Sequence, residues 1–146
     1  MEPPAILLAE DDDNDVLLMK RAIVRAGITN PLHVTRDGEE ALAYLAGRGR
    51  FADRTQNPLP ALLLLDLKMP KLSGFEVLQW IRSQSNMKRL PVVVLSSSFQ
   101  DTDINKAYDL GANSYLVKPA DFASRIDLVK KLQAYWLTAN QMAEYV

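Results

Sequence analysis

Short apolar runs alternate along the chain with longer segments in which apolar residues recur at helical spacing. The short runs are typical of buried strands and the longer segments of amphipathic helices, so the pattern predicts five strands and five helices in strict alternation. The predicted strands cover 5–9, 32–35, 61–65, 91–95 and 114–117. The predicted helices cover 15–26, 39–46, 75–82, 103–110 and 122–137.

The predicted strands 5–9, 61–65 and 91–95 contain no alternating polar residues. Strands of that kind are buried on both faces, as in a parallel sheet that helices cover on either side. Connections between parallel strands are almost always right-handed. The sequence therefore predicts a doubly wound α/β domain with a five-stranded parallel sheet and helices on both faces.

Two segments fall outside this alternation. The polar segment 48–60 is the longest connection, and we expect an exposed loop there. The segment after Leu137 has no predicted place in the fold. We expect one domain over residues 5–138 and a tail over 139–146, with no output domain.

Composition narrows the classes of function. The 146 residues include 17 Lys and Arg against 18 Asp and Glu, so a generally basic nucleic-acid-binding protein is not indicated. The sequence has no cysteine, which excludes disulfides, thiolate metal ligands and cysteine nucleophiles. No apolar stretch has the length of a signal peptide core or a membrane span. We therefore expect a cytoplasmic protein with neither nucleic-acid nor membrane partners.

Charged residues follow several of the predicted strands. Glu10 and Asp11 follow the first strand, Asp66 follows the third, and Lys118 follows the fifth. Ligands of open α/β sheets bind beyond the carboxyl ends of the strands. If the first and third strands are neighbours, the carboxylates meet there and need a counter-charge. Mg²⁺ with oxygen ligands is the natural counter-ion, and Lys118 supplies a second positive charge.

This combination suits phosphoryl transfer, in which positioning and electrostatic stabilisation provide most of the catalysis. An aspartate such as Asp66 can be the covalent acceptor. Ser96, just after the fourth predicted strand, can donate a hydrogen bond to a phosphoryl oxygen. Taken singly, Asp66 and Ser96 are also typical of turns, and Lys118 is typical of a solvated surface. Only their common position at one sheet edge favours a functional interpretation.

The acidic run that opens the first predicted helix allows several roles. Residues 13–15 fit helix capping better than metal binding, whereas the two roles are equally well supported for Asp11. A calcium-binding loop is excluded, because Val16 stands where glycine is needed and Ala22 where the closing glutamate is needed.

Several segments together resemble the receiver domain of two-component response regulators, over about residues 5–137. They are ILLAED at 6–11, DLKMP at 66–70 with Gly74 downstream, VLS at 94–96 and YLVKP at 115–119. Each is weak alone, but their order on alternating elements is specific. The resemblance implies a flavodoxin-like fold with strand order 2-1-3-4-5.

The resemblance also implies roles for the site residues. Asp66 is the expected phospho-acceptor, and Lys118 is expected to contact the phosphoryl oxygens. The expected Mg²⁺ ligands are carboxylates and one backbone carbonyl. They are Glu10, Asp11, Asp66 and the carbonyl of Lys68. The Lys118–Pro119 peptide bond is expected to be cis.

Ser96 and Tyr115 match the residues that move inward when such a domain is phosphorylated. Their movement is expected to switch a surface formed by the fourth helix, fifth strand and fifth helix, for binding of a partner or a second copy. The expected phosphoryl donor is a histidine kinase or a phosphotransfer protein. His33, in the second predicted strand, is a poor candidate for that role within this chain.

The long 48–60 connection and the Tyr135–Trp136 pair are similar to those of bacterial phytochrome response regulators, so a phytochrome is one candidate kinase. Packing of the last helix explains Tyr135 and Trp136 equally well. The apolar face of that helix is broad, with Leu128 and Leu132 on it, and we therefore predict a homodimer through the helix and the fifth strand.

Two other functions remain open from the residues alone. A phosphatase with an aspartyl nucleophile also uses an aspartate and Mg²⁺, but it needs a second acid where this chain has Lys68. A degenerate receiver that only binds partners is the other alternative, and the complete set of site residues argues against it. We also expect Lys68 to influence the lifetime of the phosphoryl group.

Overall fold

The computed structural model describes residues 3–145 and contains one parallel five-stranded sheet with helices on both faces. The strands are β1 Ile6–Ala9, β2 Leu32–Thr35, β3 Leu62–Leu65, β4 Val92–Ser96 and β5 Ser114–Val117. The helices are α1 Asp13–Arg25, α2 Gly38–Ala46, α3 Gly74–Ser83, α4 Asp101–Asp109 and α5 Phe122–Ala134.

The strand order is β2-β1-β3-β4-β5, with β1 hydrogen-bonded to both β2 and β3. The predicted doubly wound fold and its 2-1-3-4-5 order are therefore confirmed. Because β1 and β3 are neighbours, the residues that follow them lie side by side at the carboxyl edge of the sheet. Among residues 3–145, no helix combines the length and the hydropathy of a membrane span.

The sheet has an apolar core on each face, because successive side chains of a strand point to opposite sides. Leu7 and Ala9 of β1 pack on one side, with α2, α3 and α4. Ile6 and Leu8 pack on the other side, with α1 and α5. The unalternated apolar strands are thus buried on both faces, as the sequence predicts.

The 48–60 connection is only partly the exposed loop that we predicted. A 3₁₀ turn at Gly49–Phe51 buries the Phe51 ring against Tyr44. The Arg54 guanidinium donates hydrogen bonds to the carbonyls of Tyr44 and Leu45 at 2.8 Å. These carbonyls belong to the last turn of α2, where regular helical hydrogen bonding ends, and the loop folds back to supply further donors to them.

The chain after α5 also has a defined path. A π-helical turn, Tyr135–Ala139, ends the helix earlier than the predicted 137. The tail then returns to the amino edge of the sheet, where the Tyr145 hydroxyl donates to the carbonyl of Pro60. The Arg89 guanidinium donates to the carbonyl of Glu144 at 3.3 Å. The tail is therefore packed on the domain, a place that the sequence pattern did not indicate.

Candidate functional site

A polar pocket of about 210 Å³ lies at the carboxyl edge of the sheet. The ends of β1, β3, β4 and β5 and the first turn of α1 line it. The lining residues are Glu10, Asp11, Asp12, Asp15, Asp66, Lys68, Ser96, Ser97, Ser98 and Lys118. The structure thus brings together every residue predicted for the site except Tyr115, which lies on β5 and contacts the loop beside the pocket.

The backbone around Asp66 is held from two sides. The Asp66 amide donates to the carbonyl of Ala9 at 3.0 Å, which continues the pairing of β3 with β1 past the end of the strands. The Gly74 amide donates to the carbonyl of Leu67 at 2.9 Å. Ser73 caps α3 through a reciprocal capping box with Glu76, so the helix starts at a fixed point beside the loop that follows Asp66.

Glu10, Asp11 and Asp66 form a cluster in which one carboxylate oxygen from each residue lies within 4.8 Å of the others. Glu10 and Asp66 are buried, whereas Asp11 is exposed. Burial, together with repulsion from Asp66, raises the pKa of Glu10 to about 7. Burial likewise raises the pKa of Asp66. Full ionisation of the cluster is therefore unfavourable without a further positive charge.

This donor set fits a divalent cation. Hard cations prefer carboxylate oxygens, and Mg²⁺ commonly uses one or two carboxylates while keeping waters and a phosphate oxygen as its other ligands. Lys68, whose carbonyl the resemblance adds to the set, lines the same pocket. A bound cation would favour the ionised forms of Glu10 and Asp66, which burial disfavours.

Lys118 closes the opposite side of the pocket, and its side chain is 7% exposed. It donates to Glu10 and to Asp15 Oδ2, the latter at 2.8 Å, and lies 3.7 Å from Asp66 Oδ1. Burial alone lowers the pKa of Lys118, but the hydrogen bonds from its ammonium to Asp15 and Glu10 outweigh burial and raise it. Lys118 is therefore a permanent positive charge in the site.

The Lys118–Pro119 bond differs from the prediction. The structure has no cis peptide bond within residues 3–145, so the expected cis isomer is wrong. Trans is the intrinsically preferred isomer even before proline, by about 0.5–1 kcal/mol. With the trans bond, the Lys118 amide donates to the carbonyl of Ser96 at 2.8 Å and the side chain still reaches the carboxylates.

The Asp15 side chain does not have the helix-capping role that was predicted for it. Asp12 caps α1 by accepting a hydrogen bond from the Asp15 amide at 3.0 Å. The Asp15 side chain points into the pocket, where it contacts Lys118 and accepts from Arg125 Nη2 at 3.0 Å. Burial opposes ionisation of Asp15, but these two cations lower its pKa below the ordinary value.

Arg125 of α5 was not predicted as a site residue. It occupies an inward position of the helix, near the buried Val129 and Leu132, and is itself 8% exposed. A charged residue on the apolar face of a helix requires a buried partner of opposite charge. That signal is present in the sequence, although the sequence does not say which carboxylate is the partner.

Ser96 and Tyr115 both contact the loop between β4 and α4. Ser96 is buried, and its hydroxyl accepts from the Ser98 amide at 3.1 Å. The half-buried Tyr115 donates from its hydroxyl to the carbonyl of Ser98 at 2.9 Å. The Ser98 hydroxyl donates in turn to Asp103 of α4 at 2.6 Å. Ser98, which sequence reasoning missed, therefore joins both residues to the start of α4.

The remaining aromatic and histidine residues lie away from this pocket. His33 is on β2, with its ring 5.9 Å from that of Tyr44. Trp136 packs against the core on the α1 and α5 side, whereas Tyr135 is 55% exposed. Core packing therefore accounts for Trp136 but not for Tyr135.

Comparison with known proteins gives a consistent result. The family model described as the response regulator receiver domain matches residues 6–133. The probable methanogenesis regulatory protein FilR2 of Methanothrix harundinacea is 39% identical over 140 residues, which are 96% of this chain and 88% of that protein.

Two solved structures share the fold over nearly the whole chain. The phosphorylated cyanobacterial phytochrome response regulator RcpA is 38% identical, with a TM-score of 0.88 over 96% of this chain and 98% of the other. The Mn²⁺-bound form of response regulator Rcp1 is 35% identical, with a TM-score of 0.85 over 97% of this chain and 99% of the other.

Proposed function

Because the chain belongs to the response regulator receiver domain family, we propose that it accepts a phosphoryl group on Asp66 in a two-component phosphorelay. The observation that carries the proposal is the position of Asp66. Its carboxylate lies within reach of the Glu10 and Asp11 carboxylates on one side and 3.7 Å from Lys118 Nζ on the other. A phosphoryl group on Asp66 therefore has a cation site and a buried ammonium beside it.

Glu10, Asp11 and Asp66 are the side chains proposed to hold Mg²⁺, with the carbonyl of Lys68. When bound, the ion neutralises charge between these carboxylates and the phosphoryl oxygens. Binding of Mn²⁺ by the related Rcp1 supports a divalent cation at this place.

In the proposed transfer, a histidine kinase or phosphotransfer protein presents a phosphohistidine. A carboxylate oxygen of Asp66 forms the new bond to phosphorus while the bond from phosphorus to the imidazole nitrogen breaks. The nitrogen keeps the electron pair of the broken bond. Lys118 stabilises the negative charge on the phosphoryl oxygens through the transfer.

The proposed output is a change at the surface formed by α4, β5 and α5. The Ser96 hydroxyl turns to the phosphoryl group and gives up its bond to the Ser98 amide. Tyr115 and Asp103 hold the same loop residue, so its displacement alters the packing of α4 and β5. The loop contacts of Ser96 and Tyr115 support these switch roles.

Incubation with acetyl phosphate and Mg²⁺, followed by intact mass measurement, tests the acceptor. We expect the wild-type protein to gain one phosphoryl group and Asp66→Asn to gain none. Asp12→Asn is the matched control, because it neutralises a neighbouring acid that also lines the pocket, and asparagine caps a helix as well as aspartate. Labelling that persists in Asp66→Asn contradicts the proposal.

A phytochrome is our first proposed kinase. The similarity to the phytochrome response regulator RcpA supports it, whereas the probable methanogenesis regulatory protein FilR2 has a comparable identity and a name that does not refer to a phytochrome. Profiling of phosphoryl transfer from purified candidate kinases tests the pairing, since the cognate kinase transfers fastest. We place this exchange in the cytoplasm.

We further propose a homodimer through the α4-β5-α5 surface. Tyr108, Val117 and Tyr135 support it, because each is at least 43% exposed despite its apolar bulk. Leu132, which we assigned to this surface from the sequence, is buried in the core instead. Sedimentation equilibrium at micromolar concentrations, with and without a phosphate mimic, tests the dimer, and a monomer in both states rules it out.

The phosphatase alternative is not favoured. Lys68 stands where such an enzyme needs its second acid, and it is an exposed residue at the pocket. The pocket has other carboxylates, but they belong to the cation cluster, to ion pairs with Lys118 and Arg125, or, in the case of Asp12, to the N-terminal cap of α1. No described group is therefore placed as a general acid for a leaving group.

A further inference from the structure

Lys118 is bound more closely to other carboxylates than to the proposed acceptor. Its ammonium donates to Glu10 and to Asp15, whereas Asp66 Oδ1 is 3.7 Å away. Two of the three N–H donors of the ammonium are engaged by these acids, and movement of the ammonium toward a phosphoryl group on Asp66 weakens those two bonds. The partners of those acids therefore decide how easily Lys118 moves.

Asp15 differs from Glu10 because it has a second cation. Its Oδ2 accepts from Lys118 at 2.8 Å, and its Oδ1 accepts from Arg125 Nη2 at 3.0 Å. The Arg125 side chain is 10% exposed, and its Nε is buried without a hydrogen-bond partner among the described residues. The contact with Asp15 thus compensates a guanidinium that is otherwise poorly paired.

We propose that Arg125 is a positioning residue for Lys118 and that it acts through Asp15. When Lys118 turns to the phosphoryl group on Asp66, Arg125 stays paired with the Asp15 carboxylate. The inference rests on the proposed function of Asp66. It assigns to α5 a direct electrostatic contact with the phosphorylation site, in addition to the surface switch.

The charges explain why a second cation is needed. Phosphorylation replaces one carboxylate charge on Asp66 by the larger charge of a phosphoryl group, about −1.5 to −2 at neutral pH. Lys118 is drawn to that group and leaves Asp15. Without Arg125, a half-buried Asp15 carboxylate is left uncompensated, and this cost holds Lys118 in place. With Arg125, Asp15 stays paired in both states.

The test compares rates of acetyl phosphate labelling and acyl phosphate lifetimes in a double-mutant cycle. Arg125→Met keeps the length and volume of the side chain but removes its charge. We expect it to slow labelling by about fivefold and to shorten the lifetime by a similar factor, a typical coupling for contacting charges. Asp15→Asn in the Arg125→Met background removes the acid that retains Lys118, and we expect it to restore the rate.

Lys130→Met is the matched control, because Lys130 is an exposed cation on the same helix. Wild-type labelling reports on the proposed function, so its absence overturns both proposals. If the wild type labels but Arg125→Met keeps the wild-type rate and lifetime, only the role of Arg125 is overturned. A slow Arg125→Met that the second substitution does not restore indicates a structural effect, and also overturns it.

A measurement on the wild-type protein decides the matter if Arg125→Met fails to fold. Nitrogen NMR of the side chains follows the Lys118 ammonium and the Arg125 guanidinium during addition of Mg²⁺ and beryllofluoride. We expect the Lys118 signal to shift while the Arg125 signal stays protected from solvent exchange. Loss of that protection overturns the proposal.

Discussion

The same strands form both edges of the sheet, but the residues at the two edges differ in charge and in packing. At the carboxyl edge, Glu10, Asp66 and Lys118 are buried together, and the pKa values of both acids are raised. At the amino edge, Tyr145 covers the segment before β3, and the Ala61 amide pairs with the carbonyl of Ala5 at 2.8 Å. One edge concentrates charge, and the other is closed by apolar contact and backbone pairing.

This difference shows that the residues that stabilise the fold are separate from the residues that form the charged pocket. A buried cluster of like charges is unfavourable until a ligand neutralises it, so stability must come from elsewhere. The apolar strands and the closed amino edge supply it. The comparison predicts that changes at the amino edge alter stability alone, whereas changes at the carboxyl edge alter phosphorylation.

The greatest loss is expected at Gly74, where the backbone of α3 approaches the loop that follows Asp66. A Cβ at this position meets the carbonyl oxygen of Asp66 and lies 2.7 Å from the Cα of Leu67. Because backbone atoms cannot turn away as a side chain does, we expect Gly74→Ala to cost about 3 kcal/mol in the free energy of unfolding. We also expect it to displace Asp66 and to abolish labelling. Urea denaturation and intact mass measurement check the two effects.

Gly27→Asn is the control for this substitution. Gly27 has a φ of 72°, but a Cβ there has no neighbour within 4 Å, and asparagine tolerates a left-handed backbone. It should lose less than about 1 kcal/mol and should label normally. Normal labelling of Gly74→Ala contradicts the close approach of Gly74 to the backbone of Asp66, which Gly27 has no counterpart of.

The next effect in size belongs to the amino edge. The Tyr145 ring packs against the core cluster that includes α2 and α3, and its hydroxyl bonds to Pro60. Tyr145→Ala should lower the free energy of unfolding by about 2 kcal/mol, because it removes a half-buried ring and a hydrogen bond. Tyr135→Ala removes a ring that is 55% exposed and should cost less than about 0.5 kcal/mol.

Labelling of the same two variants tests whether the amino edge affects the pocket. Acetyl phosphate should label folded Tyr145→Ala at the wild-type rate, since the ring lies at the far edge of the sheet. A labelling rate that falls together with stability shows that the two edges are coupled.

The third effect concerns the pH dependence of Mg²⁺ binding. The pKa of Glu10 rises from 4.5 to about 7 on folding, so the folded, metal-free protein retains a proton that the unfolded chain releases. Ionisation of Glu10 therefore costs stability as the pH rises from 4.5 through 7, and bound Mg²⁺ offsets that cost. At pH 6 the proton competes with the cation, so the affinity for Mg²⁺ should rise about tenfold between pH 6 and pH 8.

Isothermal titration calorimetry at the two pH values measures this change. Asp12→Asn should keep the pH dependence, whereas Glu10→Gln should weaken binding and lose most of the dependence. Equal affinity of the wild-type protein at both pH values contradicts the raised pKa of Glu10.

The sequence was sufficient to predict the fold because its signals are local and repeated. Apolar runs such as 62–65 are too short for a helix and are typical of strands in a sheet covered on both faces. Gly47 ends α2 in a left-handed conformation at the predicted place. The residues of the pocket were also predictable, because parallel strands align their carboxyl ends.

Contacts in which a polar side chain pairs with a group outside its own helix or strand were not predictable in the same way. Asp15 looked like a capping residue, because its partner Arg125 is 110 residues away in sequence. The place of Tyr145 depends on Pro60, 85 residues earlier. Arg54 was assigned to an exposed loop, since nothing local shows that it satisfies the carbonyls at the end of α2. Each of these contacts joins a polar group to a partner that only the assembled fold brings near.

The smallest expected effect compares two lysines at opposite edges of the sheet. Lys68 is exposed at the mouth of the pocket, beside Asp66, whereas Lys88 is exposed near the tail at the amino edge. Water that hydrolyses the acyl phosphate must enter through the mouth of the pocket.

Lys68→Ala opens the mouth of the pocket, and we expect the half-life of the phosphorylated protein to fall about threefold, a change of roughly 0.7 kcal/mol in the barrier. Lys88→Ala should leave the decay unchanged. Decay followed by intact mass after removal of acetyl phosphate gives both values, and equal half-lives show that Lys68 does not control access of water.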